Sequence, residues 1–221
     1  MPPLTEDLVI PLDRESWPGV LREVLSAGHG FQADVLLLET PGGPVVVKDF
    51  RNRGWWFART LGRWLCAREV RAYARLAGLA VVPRMIQRLD AFAFAVEYRP
   101  GTLLSRSLRG RTSPGFMAEL EQGLAAIHER GVVHLDLKHR SNVLAGDDGH
   151  PVILDFASAL CLRPGSRRLR WLARFDRLAL EKWRVRIEPA YSEVAGEGSA
   201  SSADSSGGTT SAGSMGAKRP M

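Results

Sequence analysis

The chain has 221 residues, 45% of them hydrophobic, and a formal net charge of +6 at pH 7. This apolar content can fill the core of one domain or of two small lobes, and two cysteines, Cys66 and Cys161, exclude a disulfide framework. No apolar run approaches the roughly 20 residues of a membrane-spanning helix, and residues 1–7 lack an export signal. We therefore expect a cytoplasmic protein with free thiols and an anionic partner, such as a nucleotide, a nucleic acid or an acidic lipid.

The N-terminal half predicts an antiparallel sheet with one helix. After a Pro-rich arm over residues 1–18, apolar runs separated by turn signals predict five strands, at 20–25, 35–39, 45–50, 85–89 and 92–98. An Arg- and Trp-rich segment over residues 51–65 leads into a helix that ends near Gly78, a residue type common just after helices. On that helix Glu69 shares the apolar face with Leu65, Ala72 and Leu76.

The C-terminal half predicts helices and one hairpin. Arg99-Pro100-Gly101 is interpreted as a hinge, and Ser113 and Pro114 predict a helix start as N-cap and N1. Gly131 is expected to end that helix. Further elements are a hairpin at 142–144 and 152–154, a basic helix at 166–185 and a disordered Gly/Ser-rich tail at 189–221. The residues expected to face the core are Phe116, Leu120, Leu124 and Ile127 on the first helix and Leu172, Phe175, Leu178 and Ala179 on the basic helix.

Three charged residues stand where the apolar pattern predicts none. Lys48 and Asp155 each end a run of apolar strand residues, and Glu69 interrupts the apolar face of a helix. An unpaired buried charge costs roughly 3–5 kcal/mol, so we predict that Lys48 pairs with Glu69. For Asp155, a divalent metal is a partner that also takes part in chemistry. With Asp136 and Asn142 earlier in the chain, Asp155 indicates a site for phosphate and magnesium.

A glycine-rich segment precedes the strand that carries Lys48. Residues 28–35, GHGFQADV, match the pattern G-x-G-x-x-G-x-V except for Ala33 at the third glycine. Glycines allow backbone amides to approach phosphates closely. Glycine-rich hairpins are common, so the composition of this segment is weak evidence for phosphate binding. Its position directly before the strand of Lys48 is stronger evidence.

Taken in order, these motifs resemble those of the protein-kinase-like superfamily. His134-Leu135-Asp136-Leu137-Lys138…Asn142 stands for H-R-D-L-K-x-x-N, and Asp155-Phe156-Ala157 stands for D-F-G. The resemblance covers about residues 20–160. It implies an α+β, bilobal protein-kinase-like fold, with a five-stranded antiparallel N-lobe sheet at 19–98 and a truncated helical C-lobe at 99–188.

The resemblance also implies the cofactors, ATP and Mg²⁺, and a role for each matching residue. Asp136 would accept the proton of the attacking hydroxyl, or orient it, and Lys138 would neutralise charge on the transferred phosphoryl group. Asn142 and Asp155 would hold magnesium. Residues implied to bind the nucleotide, directly or by holding Lys48, are Gly28, Gly30, Val35, Lys48, Glu69, Glu97 and Arg99.

Several positions depart from the family pattern. The spacing from Asp136 to Asn142 is one residue longer, so either the loop bulges or Ser141 takes the metal position; the bulge is favoured because Asn is the better ligand. Leu135 replaces the arginine that commonly reads a phosphorylated activation loop, and Ala157 replaces a glycine. No A-P-E-like segment follows, so the usual region that binds peptide substrates is missing.

This truncation resembles the RIO-type kinases and the bacterial lipopolysaccharide kinases that phosphorylate Kdo or heptose. The expected acceptor is therefore either a protein Ser/Thr hydroxyl or a lipopolysaccharide-core sugar. The Arg- and Trp-rich segments are expected either to meet an anionic glycolipid, peripheral to the inner membrane, or to be ordinary solvated faces with packed Trp. A pseudokinase scaffold is the alternative, motivated by the longer loop and Ala157. A nucleic-acid-binding module has only the charge in its favour.

Overall fold

The computed structural model describes residues 12, 14–15, 17–29, 32–51 and 61–188. Most of the predicted N-terminal arm, Gly30 of the glycine-rich segment, residues 52–60 and the predicted disordered tail lie outside these ranges. Among the described residues, no helix combines the length and the apolar character needed to span a membrane.

An antiparallel sheet of five strands forms the N-terminal part, as predicted, in the order β1-β2-β3-β5-β4. It follows a short helix, α1 (Trp17–Val20). The strands are β1 (Leu21–Ser26), β2 (Asp34–Thr40), β3 (Gly43–Asp49), β4 (Met85–Arg88) and β5 (Ala93–Glu97). The central strand β3 pairs with β2 and β5, so Lys48 lies between Val35 and Phe94.

Side chains along β3 alternate between the two faces of the sheet, as in any strand. Val45 and Val47 belong to a small cluster with Trp17 on one face. Val46 packs on the other face, against the main core. Lys48 shares the face of Val46, which is the face covered by helix α2 (Arg63–Leu76). The alternation therefore directs the Lys48 side chain toward α2.

The segment predicted as a hinge continues directly into a strand, β6 (Gly101–Leu103). It pairs with β8 (Val143–Gly146), which in turn pairs with β9 (Pro151–Ile153) to give the predicted hairpin. A second small sheet joins β7 (Val132–Val133) to β10 (Leu160–Cys161). These short strands frame the loops that carry residues 134–142 and 154–159.

Helix α3 (Phe116–Glu129) has the predicted buried face, but its predicted start is wrong. Gly115, and not Ser113, is the N-cap residue. The hydroxyl of Ser113 donates instead to the carbonyl of Gly149, 2.5 Å away, so a tertiary contact takes the group that would have capped the helix. Gly131 follows the helix with φ of 76°, as expected of a residue that ends it. Phe116, Leu120, Leu124 and Ile127 are all buried.

Helix α4 (Arg167–Ile187) forms where predicted, with Ser166 as N-cap, but its buried face differs from the predicted one. Phe175 and Leu178 are 50% and 60% exposed, and of the residues expected to face the core only Ala179 is fully buried. The buried residues are Leu169, Ala173, Asp176, Ala179, Leu180, Trp183 and Ile187. The prediction selected only apolar residues, whereas the true face includes Asp176, whose carboxylate is bonded inside the protein.

One core cluster runs from the sheet to the C-terminal helices. It includes Phe94 on β5, Tyr73 on α2, Phe156 and, on α4, Trp183. The described halves of the chain are therefore packed against each other through apolar side chains. The loops after β7 and β9 lie at this junction.

Candidate active site

Lys48 joins three separate parts of the chain. Its ammonium donates to Glu69 Oε1 at 2.6 Å and to Asp155 Oδ1 at 2.7 Å. Glu69 is 0% exposed on the buried face of α2, which confirms the predicted position of this carboxylate and the predicted Lys48–Glu69 pair. Glu69 Oε2 is buried and makes no hydrogen bond in the described part of the protein.

Electrostatics and burial act against each other in this cluster. Burial lowers the pKa of Lys48, but the carboxylates of Asp155 and Glu69 outweigh it and the net pKa is raised. Burial raises the pKa of Glu69 to about 7, against the attraction of Lys48. Lys48 holds the pKa of the more exposed Asp155 at about 2. At neutral pH, Lys48 is therefore a fixed cation and Asp155 a fixed anion.

Asp155 lies two residues beyond the end of β9, at the start of a single 3-10 turn, Phe156–Ser158. Its backbone has φ of 61°, and Oδ1 also accepts a hydrogen bond from the Ala157 amide at 3.2 Å. The guanidinium of Arg68, on α2, donates to the Ala157 carbonyl. Positive φ at a non-glycine residue is costly and persists where neighbours hold it, as they do here.

Asp136 and Asn142 face each other across the loop after β7. The Asn142 amide donates to the Asp136 carbonyl at 2.9 Å and to Asp136 Oδ2 at 3.1 Å. The loop contains a 3-10 turn, Arg140–Asn142, and Asn142 lies at its end. The choice between Asn142 and Ser141 as metal ligand stays a prediction. Ser141 lies beside Asn142 and donates to its Oδ1 at 3.1 Å.

His134 ties the Asp136 loop to the strand that leads to Asp155. It is fully buried; its Nε2 donates to the Leu154 carbonyl at 2.9 Å, and its Nδ1 accepts from the Asp136 amide at 3.3 Å. Burial lowers its pKa, in keeping with a neutral ring that donates at one nitrogen and accepts at the other. The Asn142 carbonyl accepts from the Leu154 amide at 2.9 Å, which adds a second link between the two segments.

Asp176 is a positioning residue that the sequence reasoning missed. From the buried face of α4, its carboxylate accepts from the amides of His134 at 2.8 Å and Leu135 at 2.7 Å. His128 Nε2 lies 2.9 Å from the same carboxylate. Leu135 has φ of 67°, so Asp176 holds the strained residue directly before Asp136. The signal that located Glu69, an acidic residue within a buried helix face, was also present in α4.

Aromatic contacts connect the same elements. Phe156 lies between His134 and Tyr73, with ring centroids 5.0 and 5.2 Å away, and Tyr73 contacts Phe94 at 5.7 Å. Trp183 of α4 donates its indole N–H to the Leu137 carbonyl at 2.8 Å. These contacts join the sheet, α2, α4 and the loops after β7 and β9 into one packed unit around Lys48, Glu69 and Asp155.

The remaining predicted site residues lie around this unit. Val35 is the cross-strand neighbour of Lys48, and Lys138 is exposed. The Gly28 amide donates to Asp34 Oδ1 at 2.9 Å, while Gly30 lies outside the described residues. At the end of β5, the Glu97 carboxylate lies 3.2 Å from Arg99 Nε.

The donor set fits a magnesium ion that shares its coordination with phosphate. Mg²⁺ in phosphate-transferring proteins commonly takes one or two carboxylates, with phosphate and water oxygens as further ligands. Asp155 uses only Oδ1 for Lys48 and Ala157, which leaves Oδ2 for a metal. Asn142, whose backbone carbonyl accepts from the Leu154 amide, has an amide oxygen that accepts from the Ser141 hydroxyl. The described residues contain no group of three or more His, Cys, Asp or Glu side chains suited to hold a metal on their own.

Comparison with known proteins points to kinases over part of the chain. A probable serine/threonine-protein kinase, PkwA, of Thermomonospora curvata is 36% identical over 154 residues, which are 64% of this chain and 20% of that protein. Serine/threonine-protein kinase 16 of Mus musculus is 34% identical over 106 residues, 42% of this chain and 32% of the relative. No protein-family model matches the chain.

The human serine/threonine-protein kinase 16 is 36% identical over 78 residues, covering 31% of this chain and 25% of the relative. The chain thus spans about a fifth to a third of the length of the curated relatives it matches. These partial similarities support a relationship to the protein-kinase-like superfamily.

Proposed function

We propose that the chain is an ATP- and magnesium-dependent phosphotransferase of bilobal, protein-kinase-like architecture, with lobes at 19–98 and 99–188. One observation carries this proposal. The Lys48 ammonium, on a strand, lies within 2.7 Å of a carboxylate oxygen of Glu69, on a helix, and of one of Asp155, in a distant loop. The partial similarity to serine/threonine kinases supports it independently.

In this proposal, Lys48 binds phosphate oxygens of the nucleotide while Glu69 fixes its position. Asp155 and Asn142 would hold a magnesium ion, which would neutralise phosphate charge when bound. Gly28 and Val35 would lie over the nucleotide, and the backbone from Glu97 to Arg99 would meet the adenine; Gly30, expected to act with Gly28, lies outside the described residues. Phosphoryl transfer requires mainly positioning and charge neutralisation, and these residue types supply both.

Asp136 receives or orients the proton of the attacking hydroxyl. The acceptor oxygen forms a bond to the γ-phosphorus as the bond from that phosphorus to the β,γ-bridging oxygen breaks, and ADP departs. Lys138 neutralises charge on the transferred group. Asn142 holds the Asp136 carboxylate through its amide, and Asp176 holds the backbone before it.

A protein Ser/Thr hydroxyl is the acceptor favoured by the relatives' names. A lipopolysaccharide-core sugar is the second candidate acceptor, and the basic face of α4, which could meet an anionic glycolipid, is the observation in its favour. Residues 52–60 lie outside the described part, so we propose membrane contact for α4 alone.

The proposal is tested by transfer of labelled γ-phosphate to a generic protein substrate and to delipidated core glycolipid. Wild type should label one of them, and Asp136→Ala should lose roughly 10²- to 10⁴-fold in rate while still binding nucleotide. Asp147→Ala, at the exposed hairpin turn, is the matched control and should retain activity. Undiminished turnover in Asp136→Ala would contradict the proposed role. Nucleotide binding without any transfer by wild type would favour the pseudokinase alternative.

A further inference from the structure

Helix α4 presents an apolar stripe to solvent. Trp171, Phe175, Leu178 and Val185 are 58%, 50%, 60% and 40% exposed. At 3.6 residues per turn, these four positions fall within an arc of about 80° and extend along about 21 Å of the helix. Trp171 and Phe175 are in edge-to-face contact, with centroids 5.4 Å apart. Large apolar side chains aligned in this way typically mark an interaction surface.

Basic residues border this stripe on both sides. The exposed residues of α4 that carry charge are Arg167, Arg168, Arg170, Arg174, Arg177, Lys182 and Arg186. In helical projection Arg170, Arg174 and Arg177 lie along one edge, and Arg168 and Arg186 lie along the other. Lys182 falls within the arc of the stripe, between Leu178 and Val185 along the helix. Glu181, the acidic residue nearest to the stripe in that projection, is 3.5 Å from Arg184.

We propose that this face of α4 binds the surface of a bilayer that contains anionic lipids. Aromatic and aliphatic side chains can enter the headgroup region while flanking Arg and Lys meet lipid phosphates. The charge balance favours a bilayer over a single protein partner, because seven exposed cations against one nearby carboxylate match an extended, uniformly negative surface. A helix surface is also a convex ridge, which suits a deformable planar partner.

The opposite face of the same helix holds the loop of Asp136 through Asp176 and Trp183. A bilayer against the stripe would therefore lie about one helix diameter, ~10 Å, from the backbone of that loop. If the protein is a phosphotransferase, as proposed above, its acceptor hydroxyl would then belong to a component of the membrane. That consequence rests on the proposed function. Lipid binding by α4 does not depend on it.

The test is co-sedimentation of the full chain with vesicles of phosphatidylcholine alone or mixed with phosphatidylglycerol. Wild type should bind the mixed vesicles and lose affinity as salt rises. Trp171→Ala combined with Phe175→Ala should weaken this binding about tenfold or more. Trp64→Ala, an equally exposed tryptophan on α2 (54%), should bind like wild type. Circular dichroism checks that each variant is folded.

Two double variants with the same net charge distinguish binding through the basic residues of α4 from attraction by the net charge of the protein. Arg170→Gln with Arg174→Gln should weaken binding and its salt dependence, whereas Arg22→Gln with Arg84→Gln removes the same net charge elsewhere and should not. Equal binding to uncharged vesicles, or normal binding by the double aromatic variant, would overturn the proposal. So would analytical ultracentrifugation that finds wild type to be dimeric and the double aromatic variant monomeric, with vesicle binding the same in both. Asp136→Ala should bind vesicles normally, which separates this inference from the catalytic one.

Discussion

The ammonium of Lys48 donates a hydrogen bond to Asp155 Oδ1 over 2.7 Å, although 107 residues separate the two in the sequence. The contact joins the central strand of the sheet to the loop after β9. The candidate phosphate ligand and the candidate metal ligand therefore lie side by side.

This contact predicts how Asp155 titrates. Lys48 holds the pKa of Asp155 at about 2, below its ordinary value. Ionised Asp155 therefore stabilises the folded state at pH values above its pKa in the unfolded chain. This stabilisation declines as the pH falls toward 2. In Lys48→Met the attraction is gone, so we expect the pKa of Asp155 to rise from about 2 to near the ordinary carboxyl value of about 4.

The measurement is the pH dependence of the Asp155 carboxyl ¹³C shift. Wild type should show no midpoint between about pH 3 and pH 7, whereas Lys48→Met should show one. Arg22→Met, which removes an exposed cation paired with Glu39, is the control and should leave Asp155 unchanged. A wild-type midpoint near pH 4 would show that Lys48 does not control this carboxyl group.

Replacing Asp176 should loosen the loop before Asp136. Asp176→Ala leaves the buried amide of His134 and the partly buried amide of Leu135 without their acceptor, which we expect to lower the free energy of unfolding by about 2–5 kcal/mol. Urea unfolding measures this loss. Arg177→Ala, the exposed neighbour on α4, should change stability by less than about 0.5 kcal/mol.

A positioning role for Asp176 has its own kinetic signature. Asp176→Asn keeps one acceptor oxygen and should fold; its kcat should fall while KM for ATP stays near the wild-type value, because the nucleotide contacts are elsewhere. Unchanged kcat in a variant with measurable loss of stability would assign Asp176 to folding alone.

Two glycines with similar backbone angles provide a matched pair. Gly131 has φ of 76° and a Cβ there would lie 2.5 Å from the Leu162 carbonyl oxygen; Gly78 has φ of 84° and no atom within 4 Å of such a Cβ. Gly78→Ala should therefore cost about 1–2 kcal/mol for the backbone conformation alone. Gly131→Ala should cost at least about 2 kcal/mol more, because the backbone there must move. Equal losses in chemical denaturation would refute the steric explanation.

The sequence alone predicted the sheet and the Lys48–Glu69 pair because both follow from local periodicity. Alternation places Lys48 on the α2 face, and helical spacing places Glu69 on the buried face of α2. The strand order, with β5 between β3 and β4, depends on pairing across the chain and was not predicted.

The errors on Ser113 and α4 have a shared physical cause. Ser113 is of a residue type that commonly caps helices, but its hydroxyl donates to the carbonyl of Gly149 in another part of the chain. On α4 the apolar pattern predicts core positions for Phe175 and Leu178, which are exposed. Asp176 is buried instead, because its carboxylate accepts from the amides of the loop before Asp136. Long-range hydrogen bonds decide both cases, and neighbouring residues do not reveal them.

The most direct test of the proposed site is the affinity for Mg·ATP, measured by isothermal titration calorimetry. Wild type should bind ATP more tightly with magnesium than without, and Lys48→Met and Asp155→Ala should each weaken binding of Mg·ATP about tenfold or more. Arg22→Met should bind as wild type does. If wild type shows no affinity for Mg·ATP, or if both site variants bind it unchanged, the proposed convergence on a nucleotide is contradicted.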